Sequence, residues 1–204
     1  MFRRLIALAA ALAAAVAVVP TAHGVRVHVR VEGRTQTIFG ATAPMIEGGS
    51  NPLAALDAAS VLGEFYFHVQ GSSFGNYVDQ IGRYPGGGTS GWVFKVNGVS
   101  PPVGAEAVTL RAGDSVLWYH ATFGPTGGPP TLKLAATSQR RRGARCYEVS
   151  QFDDAGRQTP TPLATLHVDG RRVRTNRLGL ACPGRHTGLV RATAPGAVRS
   201  NAVR

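Results

Sequence analysis

Residues 85–98 read PGGGTSGWVFKVNG, and the fold turns on the residues after the glycines. Gly86, Gly88 and Gly91 spell G-x-G-x-x-G, a spacing that cradles a pyrophosphate only when it opens a helix, whose N-terminal amides and dipole hold the anion. No helical pattern comes next. In WVFKV, Trp92, Phe94 and Val96 face one way while Val93, Lys95 and Asn97 face the other, the period-two pattern of a half-buried strand. Asn97-Gly98 closes that strand, because the pair tolerates the two positive φ values of a type I′ turn. The glycines read as the approach to a strand and hairpin, and a nucleotide loop is excluded.

The same alternation opens the region upstream. Residues 25–32, VRVHVRVE, bury four valines on one face and leave Arg26, His28, Arg30 and Glu32 for solvent on the other. Glu32-Gly33-Arg34 supplies a turn, and Thr35 to Thr42 reads as the return strand. His28 between two arginines is a poor metal ligand and reads as a surface residue. At Ser50-Asn51-Pro52 the period changes: a cap residue precedes proline at the first helical position, and Leu53, Leu56 and Ala59 form one stripe, with Gly63 ending the helix. Strands are expected at Glu64 to Val69, around Tyr77 to Arg83, at Trp92 to Val96 and at Ser115 to Ala121. A strand hairpin, one helix and further strands make a mixed sheet with a helix on one face.

Gly71-Ser72-Ser73-Phe74-Gly75 fits G-x-S-x-G, and Asp114 and His120 come later in the hydrolase order. A nucleophile elbow needs a strand feeding a helix in a parallel α/β sheet, and the residues after Gly75 have no helical period. Ser73 therefore reads as a loop residue, and the chain as a non-enzyme with no catalytic residue.

The chain divides by charge. Its formal net charge is +11; residues 25–124 carry six basic residues against seven acidic ones, whereas residues 131–204 carry fourteen against Glu148, Asp153, Asp154 and Asp169. Between them, residues 125–130 (PTGGPP) have the composition of a linker. The second region offers many short strand candidates between turns at Asp154-Ala155-Gly156, Asp169-Gly170, Asn176 and Pro195-Gly196, the pattern of a β-sandwich. Its densest basic run, Gln139 to Arg145, reads as a solvated turn, with an anionic polymer or surface as the alternative partner. Nucleic acid is disfavoured, since no aromatic platform is interleaved with the run. Asp153 and Asp154 lack the further carboxylates that calcium needs, so no metal is expected.

The two cysteines, Cys146 and Cys182, are expected to form one disulfide, worth about 3.5 to 4 kcal/mol on the chain-entropy model. The start of the chain is a secretory signal peptide by pattern: Arg3 and Arg4, an apolar run from Leu5 to Val19, and small residues up to Gly24, with cleavage after Ala22 or Gly24. The expected mature protein is secreted or extracytoplasmic, envelope-associated, and without a stable membrane span.

The segments VRVHVRVEG, PLAALDAA and SGWVFKVNGVSPPVGAEAVTLRAGDSVLWYHATF resemble the transcobalamin-like C-terminal domain, a family of bacterial secreted and surface domains, over residues 25–123. The resemblance implies a β-grasp-like α+β fold for residues 25–124. Residues 131–204 resemble bacterial immunoglobulin-like repeats, so the whole is expected to be mainly β with one helix, a β-grasp-like domain followed by an immunoglobulin-like β-sandwich. In transcobalamin-like carriers a related domain forms one wall of the cobalamin site and a helical barrel the other. This chain has no barrel, and no cofactor is expected. The resemblance implies a non-enzymatic binding or surface module, whose small-molecule partner would be a ring-containing ligand such as a corrinoid held by Tyr84, Trp92, Trp118, Tyr119 and His120. The bland reading of those aromatics is sheet packing. The other expected role is structural or adhesive, the basic sandwich docking on anionic envelope polymer.

Overall fold

Strand β1 (Arg26–Glu32) places Val27, Val29 and Val31 fully out of solvent on one face. It pairs antiparallel with two short strands, β2 (Thr37–Phe39) and β3 (Met45–Glu47). The computed structural model describes residues 24–204 except 74 and 126; apart from Gly24, the signal-peptide segment lies outside the described residues. Helix α1 (Pro52–Gly63) starts as its sequence dictates, with the Asn51 side chain accepting from the Ala54 amide at 2.9 Å and Pro52 in the first turn. Gly63 is its last residue, yet Glu64 takes the left-handed position after it, at φ 50°. Leu56, Ala55 and Ala59 are its fully buried face.

After the helix, β4 (Phe67–Ser72), β5 (Gly75–Ile81) and β6 (Tyr84–Pro85) form a separate small sheet. Strand β7 (Ser90–Val96) then pairs antiparallel with β8 (Ser115–Thr122), which runs parallel to β1, giving the order β2-β1-β8-β7 with β3 also on β1. A hairpin, a crossing helix and a return strand parallel to the first make the β-grasp-like arrangement. Register puts Trp92 opposite His120 and Phe94 opposite Trp118, on the face that α1 covers. On the opposite face β1, β8 and β7 present Arg30, Glu32, Leu117, Tyr119, Val93 and Lys95.

The second half begins with a long hairpin, β9 (Thr131–Arg141) and β10 (Ala144–Phe152), turned at Arg142 and Gly143 with φ 50° and 77°. Strands β11 (Gln158–Pro160), β12 (Thr165–Val168), β13 (Arg171–Arg174), β14 (Leu180–Ala181), β15 (Val190–Thr193) and β16 (Ala202–Val203) complete it. One four-stranded sheet has β9 on one edge of β10 and β11 and β14 on the other; the second has the order β13-β12-β15-β16. Leu132, Leu134, Tyr147 and Val149 from the first meet Leu166, Val168, Val190 and Ala192 from the second, the core of a β-sandwich. Cys146 and Cys182 are joined, 36 residues apart in sequence. Because Tyr147 pairs with Ala181, the disulfide links facing positions of β10 and the end of β14 inside one sheet. It does not cross between sheets as in antibody domains.

The expected solvent face of β1 is corrected. Arg30 and Glu32 are 6 % and 0 % exposed, because the polar face of β1 is covered by the second half. The run from Gln139 to Arg145 is an exposed turn, as its sequence reads: it forms the tip of the β9–β10 hairpin, with ladder pairing extending to Arg141 opposite Ala144.

Candidate functional site

The expected aromatic set is not an open face. Tyr84, Trp92, Trp118, Tyr119 and His120 are each less than a tenth exposed. Trp92 donates from Nε1 to the Tyr84 carbonyl at 2.8 Å, and Trp118 donates to the Pro52 carbonyl at 3.0 Å. These bonds anchor both indoles in the core, the ordinary requirement of a buried tryptophan. His120 meets Trp92 edge to face at 5.5 Å, and its Nε2 donates to the Pro85 carbonyl at 3.2 Å. Burial holds the His120 imidazole below its usual pKa. Tyr119 belongs to the opposite face, where burial pushes its phenol up to about 12. Trp92, Phe94 and Trp118 border a small apolar cavity of about 80 Å³, far below the roughly 300–1,000 Å³ usual for small-molecule sites.

Ser73 stands at the exposed turn between β4 and β5. Asp114, just before β8, accepts from the Asn97 side chain and the Arg111 amide, whereas His120 is near the far end of that strand. Six residues of strand separate those two by roughly 20 Å. The structure therefore does not assemble the three into a triad.

Arginines, by contrast, are brought together. The β9–β10 tip carries Arg140, Arg141, Arg142 and Arg145, all exposed. The Cys146–Cys182 bond holds the adjoining loop, Pro183 to His186, against that tip. Arg171 braces the loop by donating to the carbonyls of Pro183 and Arg185, at 3.1 and 2.9 Å. His186 accepts at Nε2 from the Tyr147 hydroxyl at 2.7 Å while its Nδ1 donates to Gly188. Asp169 accepts from the amides of Thr187 and Gly188, and these backbone bonds hold its carboxyl below the usual range.

The tip and the loop enclose two adjoining depressions, of about 400 and 710 Å³, to which Arg185 and Arg204 add further guanidiniums. No Asp or Glu side chain lines either one. Among the described residues, none of these six arginines has an ion-pair partner. Arg145 donates to the Arg204 main-chain oxygen at 3.0 Å; guanidiniums gathered without an acidic side chain among them repel one another and attract polyanions. Sequence reading found the run from Arg140 to Arg145 but missed Arg185; the available signal was the cysteine pair, which places the residues after Cys182 beside those before Cys146.

Residues 57–122 match the model of a domain of unknown function, DUF4430. The matched stretch begins within α1 and ends with the last residue of β8, so it contains the β7–β8 core pair and none of the arginine cluster. No curated protein matches the chain.

Proposed function

We propose that this is an exported, non-enzymatic envelope protein that docks through the arginine end of its sandwich onto an anionic, phosphate- or carboxylate-bearing polymer. The single observation that carries the reading is the set of six exposed arginines around the β9–β10 tip and the disulfide-held loop, with no acidic side chain lining the surface they form. In this reading the first half is a scaffold of the transcobalamin-like C-terminal type, a kinship that the match over residues 57–122 supports. A corrinoid or another large ring has no comparable support. The aromatics proposed for it are spent on the core, and the cavity they border is too small.

The test is retention of the purified protein on immobilised dextran sulfate against neutral dextran, with elution by salt. Arg141→Gln/Arg142→Gln is compared with Arg172→Gln/Arg177→Gln, a double variant of equal charge loss away from the tip. Screening weakens exposed charge contacts strongly above about 0.1 M salt. The expected result is retention on dextran sulfate alone, with earlier elution for the tip variant only. Equal behaviour of the two double variants would reduce the cluster to bulk charge and sink the docking site.

A further inference from the structure

A second basic cavity lies where the two halves meet. A cleft of about 420 Å³ is bordered by β1, β7 and β8 on one side and by β9 and Phe152 on the other. That volume falls within the roughly 300–1,000 Å³ usual for small-molecule sites, which favour boundaries between domains. His28, Arg30, Lys95 and Lys133 line it, and no Asp or Glu side chain does.

These basic residues are not equivalent. Lys95 is neutralised in place: its ammonium donates to the carbonyls of Phe152 and Asp153 at 3.1 and 2.8 Å and pairs with Asp154 at 3.3 Å. Arg30 is not. Its Nη1 donates to Glu32 and to the Arg199 carbonyl, whereas Nε and Nη2 have no acceptor among the described residues and keep access to solvent. Glu32 also serves Arg191 and Arg199, so one carboxylate answers three guanidiniums. Burial, together with those two neighbouring arginines, brings the Arg30 pKa down to about 10 despite the attraction of Glu32. Water in the cleft can serve those two donors, and an oxyanion can take its place there.

Lys133 adds to the positive lining of the cleft. His28 is held at the wall by its Nδ1, which donates to the Ala43 carbonyl at 2.8 Å. Lys133 is exposed on β9 and has no ion pair there. Thr42 brings a hydroxyl to the wall.

We infer that this cleft binds a small organic oxyanion, with a carboxylate or phosphate head on the unused donors of Arg30 and its remainder between Leu117, Leu132 and Phe152. A planar guanidinium with two adjacent free donors matches such a head in bidentate geometry. The site is separate from the arginine end and does not depend on docking there.

Isothermal titration of the purified protein with malonate and with glycerol 3-phosphate, and with glycerol as the neutral control, tests the site and separates the two head groups. Saturable binding of at least one anion and none of glycerol is expected. Arg30→Gln, with folding checked by near-UV circular dichroism, is expected to weaken binding by tenfold or more. Lys133→Gln leaves every buried contact in place and is expected to weaken it severalfold, so it carries the test if the Arg30 variant does not fold. Arg141→Gln/Arg142→Gln is expected to bind as the unaltered protein does. Absence of saturable binding at 10 mM of either anion overturns the inference. So does binding that survives Lys133→Gln undiminished, or binding that tracks the tip arginines instead.

Discussion

Arg199 donates from Nη2 to Glu32 Oε2 at 3.0 Å, tying the end of the second half to the first strand of the first. Arg191 reaches the same carboxylate from β15, Arg30 reaches it from β1, and Thr37 donates a hydroxyl at 3.1 Å. Glu32 is fully buried. Removing one partner of a buried ion pair costs about 3 to 5 kcal/mol, because the other charges remain desolvated. Glu32→Gln is therefore expected to lose stability of that order and to loosen the junction. Both tryptophans, Trp92 and Trp118, belong to the first half, so tryptophan fluorescence reports that half while far-UV circular dichroism reports both. Coincident urea transitions are expected for the unaltered protein and separated ones for Glu32→Gln. Coincident, unshifted transitions in the variant would show that the junction does not depend on this carboxylate.

The sandwich depends on its disulfide in a second way. Replacing both Cys146 and Cys182 by alanine is expected to cost about 2 to 4 kcal/mol. Because the bond also holds the loop of Arg185 beside the β9–β10 tip, the same variant is expected to elute from dextran sulfate at lower salt under conditions where it remains folded. Unchanged elution would mean that the loop keeps its place through Arg171 and Asp169 alone.

Acid should destabilise the protein through two histidines. His120 and His167 both have pKa values lowered by burial, His167 further by Arg172. A histidine depressed in the folded state binds its proton more readily when unfolded, so stability is complete above the unfolded value of about 6.5. It declines as pH falls from there through the lower folded value. His120→Gln, whose amide can still donate to Pro85, is expected to reduce the slope of the urea midpoint against pH below 6.5. An unaltered slope would assign the loss elsewhere.

Elements with a strong period were legible in the sequence, and contacts between them were not. The valines of β1, the Asn51-Pro52 start of α1, the Asn97-Gly98 turn and the alternation of β7 are local patterns, and each appears where its pattern points. Strands β3 and β11, of three residues each, were missed because so short a stretch carries no period. The burial of Arg30, Glu32 and Lys95 was invisible for a different reason: alternation identifies a polar face, and only tertiary docking decides whether that face meets water. The arginine run was legible as charge, while its union with Arg185 depended on a pairing distant in sequence.

Trp118 offers a direct separation of core from site. It is 2 % exposed, lies with its ring centroid 5.1 Å from that of Phe94 at a 36° tilt, and donates to the Pro52 carbonyl. Trp118→Ala is expected to cost about 3 to 5 kcal/mol. With folding maintained at low temperature, dextran sulfate retention is expected to stay as it was. Loss of retention in the folded variant would move the docking surface to the first half.

The last prediction rests on two glycines with nearly the same backbone. Gly98 has φ +88° and Gly113 has φ +86°, a region where a Cβ costs roughly 1 to 2 kcal/mol by sterics with its own carbonyl. Their surroundings differ. A Cβ on Gly113 meets nothing within 4 Å, whereas one on Gly98 lies 2.7 Å from the Phe152 ring of the second half. Gly113→Ala is expected to show the backbone cost alone. Gly98→Ala adds overpacking, typically about 1 to 3 kcal/mol, at a point where the β7 turn and Phe152 both border the cleft between the halves. Its excess loss in urea denaturation is therefore expected to shrink in a Phe152→Ala background, where the ring is gone. An excess that persists there would place the conflict within the turn itself and not at the junction of the two halves.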